Sequence, residues 1–153
     1  MSTRILFVCL GNICRSAMAE FIMKDKVKRY GAANAFEIAS AATSDEEYGN
    51  PVYPPAQRIL REHGVSFDPK KTSRQLTEED YDRYDHIIGM DESNRRNILR
   101  ITRGDPEHKV SLLLEHTDHP RAVADPWYTR NFQATWEDIE CGCEALCREF
   151  GLK

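Results

Sequence analysis

The sequence predicts an α/β fold of three layers, with four parallel strands in one sheet and helices on both faces. Two observations lead there. Apolar runs of five to seven residues alternate with stretches whose apolar residues recur every three or four positions. Turn-forming glycines and prolines punctuate the chain between them. Strands separated by helices are joined by right-handed crossovers, which makes the sheet parallel. No repeat or linker divides the chain, so residues 1–153 read as one domain, long enough for a single good core.

"RILFV" (Arg4–Val8) is the first strand. From Ser16 the pattern turns helical, with Met18, Phe21 and Ile22 on one face and Gly31 as the stop. "FEIASAA" (Phe36–Ala42) is the second strand, and "TSDEEYGNPVYPP" is a loop rich in turn formers. A helix follows from Pro54 to His63, apolar at Ala56, Ile59 and Leu60 and stopped by Gly64. "HIIGM" (His86–Met90) is the third strand; Asp91 then caps a helix bearing Ile98 and Leu99. "KVSLLLE" (Lys109–Glu115) is the fourth strand. After a loop with Pro120 and Pro126, the last helix places Trp136, Ile139, Cys143, Leu146 and Phe150 on one apolar face.

Composition narrows the function. A hydrophobic fraction of 41% and a charged fraction of 30% are ordinary for a globular chain. No apolar run approaches the roughly 20 residues that span a membrane, and the opening residues are too short an apolar stretch for a signal peptide. The chain therefore reads as cytoplasmic. A net charge of −4 speaks against a nucleic-acid binder. The basic group Lys24, Lys26, Lys28 and Arg29 reads as the solvated last turns of the first helix. The five cysteines (9, 14, 141, 143 and 147) do not have the spacing of a disulfide scaffold. Cys143 and Cys147 read as packing residues.

The chemistry concentrates in "VCLGNICRSAMAE" (Val8–Glu20), where the first strand gives way to the first helix. Three readings compete: a metal or disulfide pair, an anion-binding loop, and a nucleophile facing an anion. Zinc would need two ligands beyond Cys9 and Cys14, and no suitably spaced pair supplies them. A helix N-terminus at the carboxyl end of a strand is a ready anion site. Gly11 frees the turn, Asn12 tolerates a left-handed backbone, and Arg15 offers a planar fork to two phosphate oxygens. Neither Walker A nor GxGxxG spacing is present, so a nucleotide is not implied. The C-x5-R-S spacing places the thiol of Cys9 among donors that stabilise its thiolate, beneath a bound phosphoryl group. Breaking a phosphate ester this way calls for a proton donor, and Asp125 in "ADPWYT", stiffened by Pro126, is the candidate.

"VCLGNICRS" and the late Asp125-Pro126 together resemble the low-molecular-weight protein tyrosine phosphatases, and the likeness continues through "SRQLTEEDY" and "MDESN" to the C-terminal helix. The resemblance implies a flavodoxin-like four-stranded sheet and hydrolysis of phosphotyrosine through a phosphocysteine, without metal or cofactor. It makes Cys9 the nucleophile, Arg15 the clamp on the transition state, and Asp125 first acid and then base. Leu10, Gly11, Asn12, Ile13, Cys14, Ser16 and Ser40 would bind phosphate or support the loop. In this assignment Ser16 donates to Cys9, and Ser40 joins Asn12 in bracing. Trp127, Tyr128 and Tyr48 would wall a cleft deep enough to select a phenol. Ala17 stands where the family commonly has proline, and Glu46 where it often has an aromatic. Arsenate reductases of this group relay electrons through mid-chain cysteines, which are absent between Cys14 and Cys141. Protein-arginine phosphatases of this group carry threonine where Ile13 stands. Expected partners are tyrosine-phosphorylated proteins or peptides, with inorganic phosphate as product and no nucleic acid or membrane. The chain itself would be a monomer or weak homodimer. Oxidation is expected to close a Cys9–Cys14 disulfide that protects the nucleophile. The rival reading is a phosphate or phosphopeptide reader without turnover, which would need neither thiolate nor acid.

Overall fold

The computed structural model describes residues 2–152. Its strands are β1 (Thr3–Cys9), β2 (Phe36–Ala42), β3 (His86–Gly89) and β4 (Val110–Leu112). They form one sheet in the order β2-β1-β3-β4, and every pairing is parallel. The helices are α1 (Arg15–Arg29), α2 (Pro54–Glu62), α3 (Glu78–Arg83), α4 (Glu92–Ile101), α5 (Pro126–Thr129) and α6 (Phe132–Glu149).

β1 is the centre of the sheet, and Ile5 to Val8 are wholly buried. Ile5, Phe7 and Cys9 face the core shared with α1, α2 and α6, whereas Leu6 and Val8 face Tyr81, Tyr84 and Ile98. Burial on both faces is why this strand reads as an unbroken apolar run. The chain leaves β1 toward β2 on one side and reaches β3 on the other. The carboxyl end of β1 is therefore the switch point of the sheet, where ligands bind in open α/β folds.

Four expectations need adjustment. The fourth strand stops at Leu112, and Leu113–His116 forms a 3-10 turn. The Glu115 carboxylate accepts from Leu112 N at 2.8 Å, curling the chain so that Leu113 and Leu114 are buried. β3 ends one residue early because Met90 N donates to Asn94 Oδ1 at 3.0 Å. The six-residue helix α3 was not among the expected elements; Thr77 and Asp80 close a capping box at its start. The basic group is not simply solvated: Lys26 is nearly covered and pairs with Glu140 and Glu144 of α6, at 2.6 and 2.8 Å. Lys24 pairs with Glu20 and Arg29 with Asp25 along α1 itself.

α6 lays Trp136, Ile139, Cys143 and Leu146 into the core as its periodicity requires. Burial pushes the Cys143 and Cys147 thiols up, the latter to about 11, so both serve as inert packing. Among the described residues no helix is long and apolar enough to cross a membrane.

Candidate active site

Cys9 ends β1, and residues 10–14 form the loop into α1. Asn12 supplies the left-handed turn at φ 58°. Gly11 does not take that role; a side chain there would press on Glu47, whose Cγ lies 3.2 Å from the Cβ position. The loop's carbonyls are taken up from outside. Thr43 N donates to Cys9 O, Ser44 N to Leu10 O, Tyr53 N to Ile13 O, and the Ser73 hydroxyl to Gly11 O, all at 2.8–3.1 Å. With the carbonyls drawn outward, the Asn12 amide points to the Cys9 sulfur, just before the start of α1. That start has no side-chain cap and no acid in its first turn, so its positive end is left for an anion.

The Cys9 sulfur is buried, 3.0 Å from Ser16 Oγ and 3.3 Å from Asn12 N. Asn12 Nδ2 donates to the same Ser16 hydroxyl at 2.7 Å, and the hydroxyl has the sulfur at 3.0 Å and Ala41 O at 3.5 Å as acceptors for its own proton. Lys71 Nζ donates to Asn12 Oδ1 at 2.8 Å, from a loop that also supplies Ser73. Burial pushes the Lys71 ammonium down, opposed by Glu20.

Arg15 is anchored by three groups of the protein. Its Nη1 donates to Val123 O at 3.1 Å, and its Nη2 meets Asp91 Oδ2 at 2.9 Å and Asp125 Oδ2 at 3.4 Å. Asp91 thus does more than cap: one carboxylate oxygen caps α4 and the other holds the guanidinium. Asp125 begins α5, accepting from Trp127 N at 3.0 Å.

Together these elements enclose a cavity of about 270 Å³. Cys9, Leu10, Gly11, Asn12, Ile13, Cys14 and Arg15 form its floor, and Asp125, Trp127 and Tyr128 form one side. Trp127 is propped by the ring of Tyr53, with centroids 4.9 Å apart. Ser44, Glu46 and Glu47 form the other side. Tyr48, expected among the walls, stands 72% exposed outside this lining, in a turn closed by its amide on Asp45 O, while Glu46 and Glu47 of the same turn are in it.

Ser40 also departs from expectation. Its hydroxyl donates to Glu20 Oε1 at 2.6 Å and does not reach Asn12, whose oxygen is already held by Lys71. Sequence reasoning passed over Lys71, Ser73 and Glu20. The first two sit in a polar stretch that looks like any solvated loop. Glu20 did carry a signal, being a carboxylate inside the apolar run "AMAEFIM". Cys14 is buried beside Cys9 with both thiols free, and burial raises the Cys14 thiol well above its ordinary value.

Residues 4–153 match the family model described as low molecular weight phosphotyrosine protein phosphatase. The chain is 38% identical over 144 residues to the low molecular weight protein-tyrosine-phosphatase YfkJ of Bacillus subtilis, covering 93% of this chain and 92% of that one. The human low molecular weight phosphotyrosine protein phosphatase is 34% identical over 149 residues, covering 95% and 92%. The crystal structure of YfkJ matches with a TM-score of 0.93 over 98% of this chain and 95% of that one. DARP, a Drosophila arginine phosphatase, matches at 0.86 with 25% identity, over 96% and 97%.

Proposed function

The chain belongs to the low molecular weight phosphotyrosine protein phosphatase family and is a protein-tyrosine phosphatase; from that premise we propose a two-step hydrolysis through phospho-Cys9. The whole chain acts as one phosphatase domain in the cytoplasm, on tyrosine-phosphorylated proteins or peptides and on small aryl phosphates, alone or as a weak dimer. The observation that carries this reading is the buried Cys9 sulfur, lying among Ser16 Oγ, Asn12 N and the uncapped start of α1.

In the first step the phosphate enters with its oxygens on the loop amides and the Arg15 fork. The sulfur attacks phosphorus, the S–P bond forms, and the P–O bond to the phenol breaks. Asp125 gives its proton to the departing oxygen. In the second step Asp125 takes a proton from water as the water oxygen attacks phosphorus, releasing inorganic phosphate and the thiolate. Arg15 and the amides stabilise the equatorial charge in both steps, and the Asp91 and Val123 contacts keep the guanidinium oriented.

Ile13, apolar and buried in the cavity floor, favours the phenol of tyrosine over a guanidinium. Trp127 and Tyr128 give that phenol its aromatic wall. Cys14 is the partner with which an oxidised Cys9 closes a disulfide. Its raised thiol makes that closure faster at alkaline than at neutral pH.

Acid quench during turnover of a small aryl phosphate, followed by peptide mass spectrometry, should find one phosphoryl group on Cys9. Turnover with no such adduct, or a Cys9→Ser variant that keeps substantial activity, would sink the mechanism.

A further inference from the structure

We propose that Thr135 and Asp138 of α6, with Arg121, are positioning residues that set the reach of Asp125 toward the leaving oxygen. This rests on the reading of Asp125 as the general acid.

Ala124 precedes Asp125, and both of its backbone groups are held by α6. The Asp138 carboxylate accepts from Ala124 N at 2.9 Å, and the Thr135 hydroxyl donates to Ala124 O at 2.8 Å. Both side chains are buried, Thr135 completely. The preceding residue is held as well, Val123 N by Met90 O at 3.0 Å and Val123 O by Arg15 at 3.1 Å. Four consecutive backbone groups leading to the acid are thus fixed by four different partners. Pro126 limits the chain on the far side. What remains free between the two restraints is little more than the φ and ψ of Asp125 itself.

Asp138 could not do this alone. A buried carboxylate in a helix needs a countercharge to remain ionised at little cost. Arg121 supplies it as a fork, Nη1 to Oδ2 at 2.9 Å and Nη2 to Oδ1 at 2.5 Å, from the same loop that carries Ala124. The fork leaves Oδ2 shared between the guanidinium and the amide. The loop is therefore tied to α6 at Arg121 and at Ala124, on either side of Ala122 and Val123.

The consequence is kinetic. Proton transfer to a leaving oxygen depends steeply on placement, and displacement of about 1 Å can cost up to roughly a hundredfold in rate. Esters with poor leaving groups depend on that proton, whereas dinitrophenyl phosphate barely does. The ratio of kcat/KM for phenyl phosphate to that for dinitrophenyl phosphate isolates the placement of the acid, because kcat/KM reports events up to leaving-group departure.

Thr135→Val and Asp138→Ala should each lower this ratio by roughly tenfold, with Thr135→Ser restoring it. Arg121→Gln should lower it by less. Asp125→Asn serves as the reference and should lower it most. Equal losses on both esters, or an unmoved ratio in Thr135→Val, would overturn the clamp. If Asp138→Ala does not fold by near-UV circular dichroism, the Thr135→Val and Thr135→Ser pair decides the matter. A ratio unmoved by Asp125→Asn would instead overturn the assignment of the acid, which distinguishes the two failures.

Discussion

Lys71 reaches the phosphate loop from 59 residues downstream and ends on the Asn12 amide oxygen. That single contact orders two others: with its oxygen occupied, Asn12 turns its Nδ2 to Ser16, and the Ser16 hydroxyl lies against Cys9. Asn12 is 1% exposed, so its oxygen has no water to turn to. Lys71→Met should therefore strand a buried acceptor, at a cost of about 1–3 kcal/mol, read as a lower urea midpoint; Lys71→Arg should recover part of it. None of this was visible in the local sequence. Asn12 was legible as a left-handed residue, and Cys9 and Arg15 by their spacing. Ser40 reads in the sequence as a support of the loop beside Asn12, and only the packing of α1 against β2 brings its hydroxyl to Glu20. A short hydroxyl bonds whatever acceptor the fold brings near.

Helix ends show how elements divide between stability and function. α3 and α4 begin with complete capping boxes, Thr77 with Asp80 and Asp91 with Asn94. α1 begins with none, and its first turn holds Arg15 and Ser16 where an acid would otherwise suit the dipole. The caps are stabilising. α2 also lacks a side-chain cap, but its first two residues, Pro54 and Pro55, have no N–H to satisfy, whereas the uncapped start of α1 faces the cavity. At α3, burial alone would push the Asp80 carboxyl up. The bidentate Arg74 guanidinium, at 2.9 and 3.1 Å, and the Thr77 amide outweigh that and hold it below the ordinary range. A folded value below the unfolded one of 3.8 gives stabilisation that is present above pH 3.8 and lost as pH falls through the folded value. In urea titrations at a series of pH values, the gap between wild type and Asp80→Asn should be widest above about pH 5 and shrink below about pH 4. The same helix was missed in the sequence because six residues carry too few apolar positions to establish a period.

At the scale of the whole molecule, α6 is the element that joins the layers. It packs against α1 and α2, seats on the turn after β4, and holds the segment leading to Asp125. Its approach to that turn depends on Gly142, where a Cβ would lie 2.8 Å from Leu113 Cδ1 and closer still to Cγ. Leu113 is fully buried and cannot swing away. Gly142→Ala should therefore lower stability by about 1–3 kcal/mol through overpacking, despite the better helical propensity of alanine, and a thermal melt will show it. The layered parallel fold is legible in the sequence, because strands buried on both faces show as short unbroken apolar runs and helices as a 3.6-residue period. The candidate centre is legible there too, because Cys9 and Arg15 lie at the two ends of one short loop whose spacing is local. The folded packing alone shows which distant groups adjoin that centre: Lys71, Ser73 and the α6 contacts to Ala124. Those are contacts of polar side chains with side-chain or backbone groups of other elements. A lone lysine or threonine carries no periodicity, so only the folded packing selects its partner.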